Sequence, residues 1–357
     1  MTPAEQLAAL RLIRTDSVGP VGFRHLLRRF GSAAAAVEAL PDIARRNSAA
    51  LTPFPRDAAE AEMEQVAALG ARHLHLAQAA YPAQLAATPD APPVLIVKGD
   101  MALAGRPMVA MVGARNASAA GRTLARGIAQ DLGAAGFVIV SGMARGIDAA
   151  AHEGALPSGT IACIAGGIDI AYPPENHALQ QAVGETGLLL AEQPPGIEPQ
   201  ARHFPRRNRL IVGLAEGVLV VEAAAGSGSL ISARLAGDYG REVMAVPGHP
   251  ADPRSHGGNR LLRDGAALVE NAADVLAVLR PFASLPVAAP LREPVLPLLP
   301  DTPANDLMLF ELLGAPVAVD ELVRQSGLSA AMVMSMLADM ELDGRIARHA
   351  GGRVSRA

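Results

Sequence analysis

Lysine is almost absent from this chain, since Lys98 is the only one among 357 residues. A phosphate-binding loop of the Walker A type needs the order Gly-Lys-Ser/Thr, whereas Lys98 lies in the order Leu-Ile-Val-Lys-Gly-Asp. The sequence therefore argues against an intrinsic P-loop ATPase. Arginine supplies nearly all of the positive charge, and the net charge of −4 lacks the basic excess that is typical of nucleic-acid-binding domains. A local positive pocket remains compatible with that balance.

Cysteine and long apolar runs are also scarce. Cys163 is the only cysteine and lies in the apolar run Thr160–Ala165, so neither an intramolecular disulfide nor a zinc cluster can form, which indicates a reducing compartment. No run approaches the roughly 18 apolar residues of a membrane span, and residues 1–14 contain no apolar signal core. We therefore expect a cytoplasmic protein without a membrane span, a metal site or another cofactor.

Half of the residues are hydrophobic, and their pattern changes along the chain. Residues 1–85 have a helical periodicity, residues 283–304 form a Pro/Leu-rich linker, and residues 305–357 show the three short helices and hairpin of a winged helix. In residues 86–282 short apolar runs alternate with helical segments, which predicts a doubly wound parallel α/β sheet. The runs are Met108–Val112, Phe137–Val140, Thr160–Ala165, Gly187–Ala191, Val218–Val221 and Glu242–Val246. Ligands of such sheets bind at the carboxyl ends of the strands.

A glycine-rich turn, Val18-Gly19-Pro20-Val21-Gly22, joins two helical stretches near the N-terminus and is followed by Arg24, Arg28 and Arg29. It resembles the hairpin of a helix-hairpin-helix, whose backbone amides hold a phosphate. The alternative is a plain turn between helices with a solvated arginine face.

The first apolar run of the sheet ends in a polar turn, Val112-Gly113-Ala114-Arg115-Asn116-Ala117-Ser118. Gly113 permits close backbone approach, Arg115 brings charge, and Ser118 either caps the next helix or binds a phosphate. The G-x-G-x-x-G spacing of dinucleotide sites is absent, and no acidic residue ends the next strand at Ser141. The turn is therefore either an anion site or a tight turn with an exposed arginine.

The next two runs also end in glycine and polar residues. Ser141-Gly142-Met143-Ala144-Arg145-Gly146-Ile147-Asp148 follows the second run, and Gly166-Gly167-Ile168-Asp169 follows the third. Asp148 and His152 share a helix face, so they form either an acid/base pair or, as we favour, a cap in which Asp148 binds backbone amides. Because three consecutive strand ends carry such residues, we expect a site where they meet.

Residues 203–248 contain the densest polar cluster. Phe204-Pro205-Arg206-Arg207-Asn208-Arg209 places three guanidiniums around one amide, just before an apolar helix. Guanidiniums fork onto phosphate oxygens, and Asn both donates to and accepts from a base edge. Gly226-Ser227-Gly228-Ser229 opens the following helix, and free amides at a helix N-terminus suit an anion. These features indicate part of a site for a polyanion.

The C-terminal module has the helix and hairpin pattern of a DNA-binding winged helix but lacks the positive charge of one. Its candidate recognition helix, Ser329 to Glu341, has no Lys or Arg, and residues 301–357 contain five Arg against eight Asp or Glu. A helix with that charge faces phosphate repulsion in a groove. Its methionines, Met332, Met334, Met336 and Met340, favour packing inside the module or against a protein.

These motifs, taken in order, resemble those of the DprA family (also called Smf) of bacterial DNA-processing proteins. The resemblance covers about residues 92–282. It rests on Val112-Gly113-x-Arg115, Ser141-Gly142-x-Ala144-x-Gly146-Ile147-Asp148 with Ala151-His152, Gly166-Gly167-x-Asp169 with Tyr172-Pro173-x-x-Asn176, Phe204-Pro205-x-Arg207-Asn208-Arg209, Gly226-Ser227-Gly228-Ser229 and Ala245-Val246-Pro247-Gly248. It implies an extended Rossmann-like core, and the terminal segments resemble the helical (helix-hairpin-helix or SAM-like) and winged-helix domains that flank this core in many members.

The resemblance implies a single-stranded DNA-binding protein of natural transformation. Such a protein protects incoming DNA, helps displace the single-strand binding protein, loads the RecA recombinase and dimerises, and it is not known as an enzyme. The residues placed in the DNA site are Gly113, Arg115, Ser118, Ser141, Gly142, Arg145, Gly146, Phe204, Arg207, Asn208 and Arg209. The residues placed in support of it are Asp148, Gly166, Gly167, Gly226, Ser227, Gly228 and Ser229. Many members have Lys where this chain has Arg145, which keeps the charge but changes the geometry.

Aromatic residues are few, with no Trp, three Tyr and seven Phe. Because generic single-strand binders stack bases on aromatic platforms, we expect this chain to rely on arginines and strand-end amides, with Phe204 as one stacking or wedge residue. A site of that kind contacts mostly the DNA backbone and has little sequence preference.

Two other classes of function compete with DNA binding. The core also resembles nucleotide phosphoribohydrolases of the lysine-decarboxylase-like family, whose motif is Pro-Gly-Gly-x-Gly-Thr-x-x-Glu. Ser232 stands where that motif has its catalytic Glu, which argues against hydrolysis. The other class is an adaptor whose site is vestigial and whose partner surfaces alone matter.

Overall fold

The computed structural model describes residues 1–47, 52–283, 303–314, 316–342, 344–349 and 352–356. The chain divides into two compact units, one made of Met1–Ala59 with Val287–Ala357 and the other of Glu60–Pro286. Nearly all of the predicted linker, from 284 to 302, lies outside the described residues. The predicted domain boundaries stay predictions.

Three helices form the N-terminal part of the first unit: α1 (Pro3–Arg14), α2 (Pro20–Phe30) and α3 (Ala33–Asn47). Thr2 caps α1 by accepting a hydrogen bond from the Glu5 amide, and Pro20 opens α2, a position where proline's missing N–H costs nothing. The glycine-rich turn therefore joins two helices as expected, while its contact with DNA stays a prediction.

A nine-stranded sheet dominates the second unit. Its strands are β1 (Arg72–His75), β2 (Val94–Gly99), β3 (Met108–Gly113), β4 (Val138–Ser141), β5 (Thr160–Ile164), β6 (Leu188–Ala191), β7 (Gly217–Val221), β8 (Glu242–Ala245) and β9 (Ala267–Leu268). Its helices are α4 (Arg56–Ala68), whose first four residues belong to the first unit, α5 (Ala83–Ala86), α6 (Ala119–Ala134), α7 (Ile147–Ala155), α8 (His177–Thr186), α9 (His203–Leu214), α10 (Gly228–Asp238), α11 (His256–Arg263) and α12 (Ala272–Ala283). The strand order is β1-β2-β6-β5-β4-β3-β7-β8-β9.

All six predicted strands are present, and β3 to β9 run parallel as a doubly wound sheet requires. The apolar pattern of the sequence did not reveal β1, β2 and β9. Strands β1 and β2 are antiparallel to their neighbours, and β1 lies inside the stretch up to residue 85 where helix was predicted, which makes that prediction wrong from Arg72 to His75.

Alternating residues of the central strands face two separate helical layers. In β3, Ala110 and Val112 pack with residues of α9 and α10, whereas Val109 and Met111 pack with residues of α6, α7 and α12. Side chains alternate between the faces of a strand, so a strand buried on both faces reads as an uninterrupted apolar run. This is why the sequence displays these strands so clearly.

The C-terminal part of the first unit has the elements of a winged helix: α13 (Pro303–Leu312), β10 (Val317–Ala318), α14 (Val319–Ser326), α15 (Ala330–Leu342), β11 (Ile346–His349) and β12 (Arg353–Arg356). Its strands form an antiparallel sheet in the order β10-β12-β11. Met336 and Met340 lie in the core of this module, which is one of the two environments predicted for them, whereas Met334 is exposed.

Among the described helices, none is both long enough and apolar enough to cross a bilayer.

Candidate functional site

The candidate site lies at the point where the order of strands in the sheet reverses. From β3 the chain proceeds to β4, β5 and β6 on one side, then returns to β7, β8 and β9 on the other. Crevices at the carboxyl ends of strands on either side of such a switch point are the usual ligand sites of open α/β sheets. The four predicted motifs with polar strand ends or helix starts meet here: the turns after β3 and β4, the start of α9 and the start of α10.

Close packing around the first turn leaves no room for a side chain at Gly113. A Cβ on Gly113 would lie 1.9 Å from the carbonyl oxygen of Val221 and 2.6 Å from the Ile147 side chain. Gly146 has φ +76°, and a Cβ there would lie 2.3 Å from the Ala114 carbonyl oxygen. Both glycines therefore allow the turn after β3 to pack closely against β7 and the start of α7. Their role is structural, because neither supplies a side chain to the site.

Arg115, Phe204 and Tyr172 form a stacked wall across the crevice. The guanidinium carbon of Arg115 lies 5.0 Å from the centroid of the Phe204 ring, and the Phe204 and Tyr172 ring centroids are 5.6 Å apart at an interplanar angle of 53°. Arg115 and Tyr172 are exposed. The geometry is that of a cation–π contact followed by a tilted aromatic pair.

Two cavities share Arg115 and Phe204. The smaller has a volume of about 330 Å³ and is lined by Arg115, Asn116, Gly142, Met143, Ala144, Arg145, Ile164, Ala165, Tyr172, Pro173, Pro199 and Phe204. The larger has a volume of about 610 Å³, and its polar lining includes Arg115, Asn116, Asp148, Arg207, Asn208, Ser227, Ser229, Ser232 and Arg254. The smaller cavity thus contains the Tyr172 and Phe204 rings beside the Arg115 and Arg145 side chains, and the larger one contains arginine, asparagine and serine donors within a mostly apolar lining.

Arg207 is buried beneath the larger cavity and does not stand free to fork onto a phosphate. Its Nη1 donates to the carbonyl oxygen of Cys163 at 2.8 Å and also to that of Gly142. A Cβ on Gly142 would lie 1.9 Å from that same nitrogen, so a larger residue there would displace the Arg207 guanidinium. Nε of Arg207 has no hydrogen-bond partner among the described residues. Arg207, which was predicted to bind a phosphate through its guanidinium, therefore mainly connects the carboxyl ends of β4 and β5.

Asp148 binds a backbone amide, as the sequence favoured, but it does not cap the helix, because the N-cap of α7 is Gly146. Asp148 lies in the first turn of α7, is 6% exposed, and accepts a hydrogen bond from the Ala144 amide at 3.2 Å. Burial raises the pKa of Asp148, and the charge of Arg207 opposes that rise. His152 lies one turn further along α7 and is fully buried.

His152 is engaged inside the core and not at the crevice. Its Nδ1 lies 2.8 Å from the Thr160 hydroxyl oxygen, and burial, with a smaller effect of Arg207, lowers the pKa of His152 to about 3. The ring is therefore neutral at physiological pH. An acid/base pair of Asp148 and His152 has no support in this arrangement.

The remaining residues of the arginine cluster separate around α9. The cluster lies within the first turns of the helix, not before it as predicted. Asn208 lines the larger cavity, with its Nδ2 3.5 Å from the Gly228 carbonyl oxygen. Arg209 lines neither cavity, because its guanidinium donates to the Glu192 carboxylate and to the carbonyl oxygen of Asp90. The prediction that Arg209 belongs to the site is at odds with this geometry.

Two predicted serines serve the scaffold. The Ser141 hydroxyl is buried and donates to the Met111 carbonyl oxygen at 2.6 Å. Ser118 caps α6, where its Oγ accepts from the Gly121 amide at 2.8 Å. Neither lines either cavity. Of the two roles left open for Ser118, the structure has the helix cap.

Glu222, to which the sequence analysis assigned no role, lies directly after β7 at the switch point. Its Oε2 accepts a hydrogen bond from the Ser118 amide at 2.8 Å, and its Oε1 accepts one from the Ser118 hydroxyl at 2.5 Å. An acidic residue at the end of a buried apolar strand is a signal that the sequence offered.

The loop after β4 is held from outside by Asn176, another residue to which no role was assigned. Met143 has a positive φ of 60°, and the Asn176 amide nitrogen donates to the carbonyl oxygens of Met143 at 2.9 Å and Ala144 at 3.2 Å. Arg145 lines the smaller cavity and pairs with Glu175 at the surface. Segment 172–176 therefore positions the loop that lines the smaller cavity.

Gly166 and Gly167 support the site by packing against the segment that precedes α9. The Gly167 amide donates to the Ile197 carbonyl oxygen at 2.8 Å, and a Cβ on Gly166 would lie 2.6 Å from that oxygen. Pro199 of the same segment lines the smaller cavity.

The N-terminus of α10 opens on the larger cavity. Gly226 has φ +78°, Gly228 begins the helix, and the Ser227 and Ser229 hydroxyl oxygens are 2.5 Å apart. The Ser232 hydroxyl, on a residue that is 1% exposed, has no hydrogen-bond partner among the described residues although Ser232 lines this cavity. An unpaired buried hydroxyl beside a helix N-terminus suits an anionic acceptor.

Three family models match this chain in order. The DprA-like N-terminal helix-hairpin-helix domain matches residues 3–65, DNA recombination-mediator protein A matches residues 72–280, and the DprA winged-helix domain matches residues 285–352. Within the described residues, no group of three or more His, Cys, Asp or Glu is placed to hold a metal ion.

Curated relatives carry the same family names. The chain is 46% identical to DNA processing protein DprA of Streptococcus pneumoniae over 199 residues, which are 55% of this chain and 70% of that protein. It is 36% identical to protein Smf of Escherichia coli over 291 residues, 77% of this chain and 74% of that protein.

Two solved structures resemble the fold. The X-ray structure of DprA from S. pneumoniae has a TM-score of 0.66 at 32% identity and covers 77% of this chain and 98% of its own. A structure of DNA processing protein A from Helicobacter pylori, described by its single-stranded DNA binding mode, has a TM-score of 0.54 at 33% identity. The match covers 58% of this chain and 96% of the H. pylori chain.

Proposed function

Because the chain belongs to the DNA recombination-mediator protein A (DprA/Smf) family, we propose that it binds single-stranded DNA at the switch point of its sheet. The observation that carries the proposal is the wall of Arg115, Phe204 and Tyr172, together with the two cavities that share Arg115 and Phe204. A nucleotide has groups for both parts of this wall, since a base stacks on aromatic rings and a phosphate accepts hydrogen bonds from arginine.

Each cavity receives a different part of the strand. A base enters the smaller cavity and stacks on Phe204 or Tyr172. The DNA backbone passes the larger cavity, where Arg115 and the N-terminus of α10 face its phosphates, while Arg254 at the same cavity pairs with Asp252 at 2.8 Å. Arg207 supports this arrangement from below by fixing the Gly142 carbonyl. Duplex DNA keeps its bases stacked inside the helix, so we expect the single strand to be preferred.

The wider role follows from the family. We propose that the protein acts in the cytoplasm during natural transformation, where it protects incoming DNA, helps displace the single-strand binding protein and loads the RecA recombinase as a homodimer. Membership of a recombination-mediator family supports this role.

We propose further that the protein does this without catalysis. Ser232 stands where the nucleotide phosphoribohydrolases carry their glutamate, and Asp148 and His152 are engaged with the Ala144 amide and the Thr160 hydroxyl. ATP, nucleoside monophosphates and labelled DNA should remain intact on incubation. A turnover that purifies with the protein and vanishes in Asp148→Ala contradicts this part of the proposal.

The test is fluorescence anisotropy with a labelled oligothymidine across a series of salt concentrations. Arg115→Ala should weaken binding and lower the slope of log K against log[salt] by about 0.7, the change for one phosphate contact of a single strand. Phe204→Ala should weaken binding by about 1–3 kcal/mol at an unchanged slope, because stacking releases no counterion.

Arg126→Ala is the matched control, since Arg126 is a half-exposed arginine of α6 that pairs with Glu153 and lines neither cavity. It should bind like the parent protein. Full affinity in folded Arg115→Ala and Phe204→Ala proteins, or no binding by the parent protein, rejects this site.

A further inference from the structure

At the switch point of this sheet, the protein fills the N-terminus of α6 with its own carboxylate. Helix α6 starts directly after the first parallel strand, β3, the position at which doubly wound sheets receive the phosphate of a nucleotide. Here the Glu222 carboxylate takes that position. It accepts hydrogen bonds from the Ser118 amide at 2.8 Å and from the Ser118 hydroxyl at 2.5 Å.

The first turn of α6 is shaped around this carboxylate. A Cβ on Gly121 would lie 2.6 Å from the carboxyl carbon of Glu222, so a larger residue at position 121 would displace the carboxylate. The Gly121 amide donates to the Ser118 hydroxyl, which in turn donates to Glu222. The carboxylate therefore occupies both donors of the Ser118 cap, at a helix N-terminus of the kind that binds a phosphate elsewhere.

The backbone of Glu222 is in a conformation that glycine adopts more easily. Its φ is +53°, in the left-handed region where a residue with a Cβ is strained by roughly 1 kcal/mol or more. Glycine at this position would relieve the strain. The glutamate is thus present for its carboxylate and not for its backbone.

We propose that Glu222 is a built-in counter-anion that occupies the phosphate position of α6 and so denies it to free nucleotides. Small phosphate-bearing molecules are thereby kept from the turn after β3, where they would crowd Arg115. The proposal concerns only the closed position at α6, and it stands whether or not the cavities bind DNA.

The experiment replaces Glu222 in the full-length chain and uses inorganic phosphate as the probe. Glu222→Gly removes the carboxylate and relieves the backbone, whereas Glu222→Gln keeps the bulk and fills the same position without charge. Phosphate binding is measured by calorimetry and by the shift of the melting temperature, with chloride at matched ionic strength as the reference for general salt effects.

The Glu222→Gly protein should gain one phosphate site that binds at least about tenfold more tightly than any in the parent protein, a difference of about 1.4 kcal/mol. The Glu222→Gln protein and the parent should not gain it. Adding Ser118→Ala to Glu222→Gly should weaken the new site, because the Ser118 hydroxyl is one of its donors.

An equal response to phosphate in all three folded proteins overturns the proposal, since Glu222 would then be only a helix cap. If Glu222→Gly melts below the assay temperature, recovery in phosphate but not in chloride supports the proposal. Glu222→Asn is the second variant for that case, because the short asparagine side chain tolerates a positive φ. If phosphate does not restore the melting temperature of Glu222→Gly, and Glu222→Asn gains no phosphate site, the proposal is rejected. Anisotropy with oligothymidine on the same samples reports separately on the proposed function.

Discussion

At the scale of single residues, the arginines of the cluster at the start of α9 differ in their exposure to solvent and in their partners. An α-helix turns once in 3.6 residues, so Arg206, Arg207 and Arg209 of α9 point in different directions. Arg206 is exposed, Arg207 is buried against strand-end carbonyls, and Arg209 pairs with Glu192. A cluster of like residues in a sequence therefore does not establish a cluster in space, because the period of the helix distributes them.

Arg207→Ala should destabilise the fold, whereas Arg115→Ala should not. Removing Arg207 leaves the buried Asp148 carboxyl without its neighbouring charge and two carbonyls without a donor, a loss of about 3–5 kcal/mol. Arg115 is exposed, and its removal should stay within about 0.5 kcal/mol. Urea unfolding of both proteins measures the difference.

Adding Asp148→Asn to Arg207→Ala should recover part of the stability, because no buried carboxylate then remains uncompensated. Arg207→Ala with parental stability and selective loss of DNA affinity would show instead that Arg207 contacts the ligand directly.

Acid should destabilise the core through its buried histidines. Burial lowers the pKa of His152 to about 3 and that of His75 to about 4, against an ordinary value of 6.5. Below pH 6.5 these two imidazoles therefore bind protons in the unfolded chain but stay neutral in the folded chain. The free energy of unfolding is highest above pH 6.5 and falls as the pH decreases toward 4. Each histidine contributes a slope of up to about 1.4 kcal/mol per pH unit.

His152→Gln should remove one of these two contributions. Its free energy of unfolding, measured at several pH values between 7 and roughly 4, should fall less steeply than that of the parent. Identical slopes contradict the burial of a neutral His152.

At the scale of elements, the sequence predicts what periodicity controls. The strands from β3 to β7 are buried on both faces, so their apolar runs identify them. Strand β1, at the edge, reads Arg-His-Leu-His and has no such signal. The candidate site follows the same rule: the strand ends at which it lies were predictable, and the end of an apolar strand marked Glu222. The partners of Glu222 and Asn176 lie across the fold, and no local pattern encodes those contacts.

Ser232→Ala should separate binding from stability at the start of α10. The Ser232 hydroxyl is buried without a partner among the described residues, so its loss should leave the free energy of unfolding unchanged or slightly higher. If a DNA phosphate accepts from this hydroxyl, affinity should fall by about 1 kcal/mol. Anisotropy and urea unfolding on one preparation measure both quantities.

Ser158→Ala is a suitable comparison, because that hydroxyl donates to the Ala155 carbonyl oxygen and lines neither cavity. If the Ser232→Ala protein binds DNA with unchanged affinity, the DNA backbone does not contact the start of α10.

At the scale of the whole molecule, the winged helix has the fold of a DNA reader with few groups free to read DNA. On its wing, Arg348 pairs with Glu341, and the guanidiniums of Arg345 and Arg356 lie 4.6 Å from the Phe310 ring centroid. Phosphate contacts need donors that are available, and these arginines are already engaged within the module.

A chain that ends at Pro300 should therefore keep most of its single-stranded DNA affinity, and the isolated module should bind duplex DNA no better than background. Anisotropy measures both, with light scattering to verify that the shortened chain keeps its oligomeric state. Loss of binding by a folded chain in the same state would make the module a DNA-binding element.

The wall beside the two cavities also supplies an optical reporter. Without tryptophan, the emission of this protein comes from its three tyrosines. Tyr81 is 6% exposed and donates to a backbone carbonyl, and Tyr239 donates to Asp90, whereas Tyr172 is 44% exposed and touches Phe204. A base that stacks there should quench the emission of Tyr172 while the other two tyrosines remain constant, so that occupancy is read from unlabelled protein, with Tyr172→Phe as the dark reference.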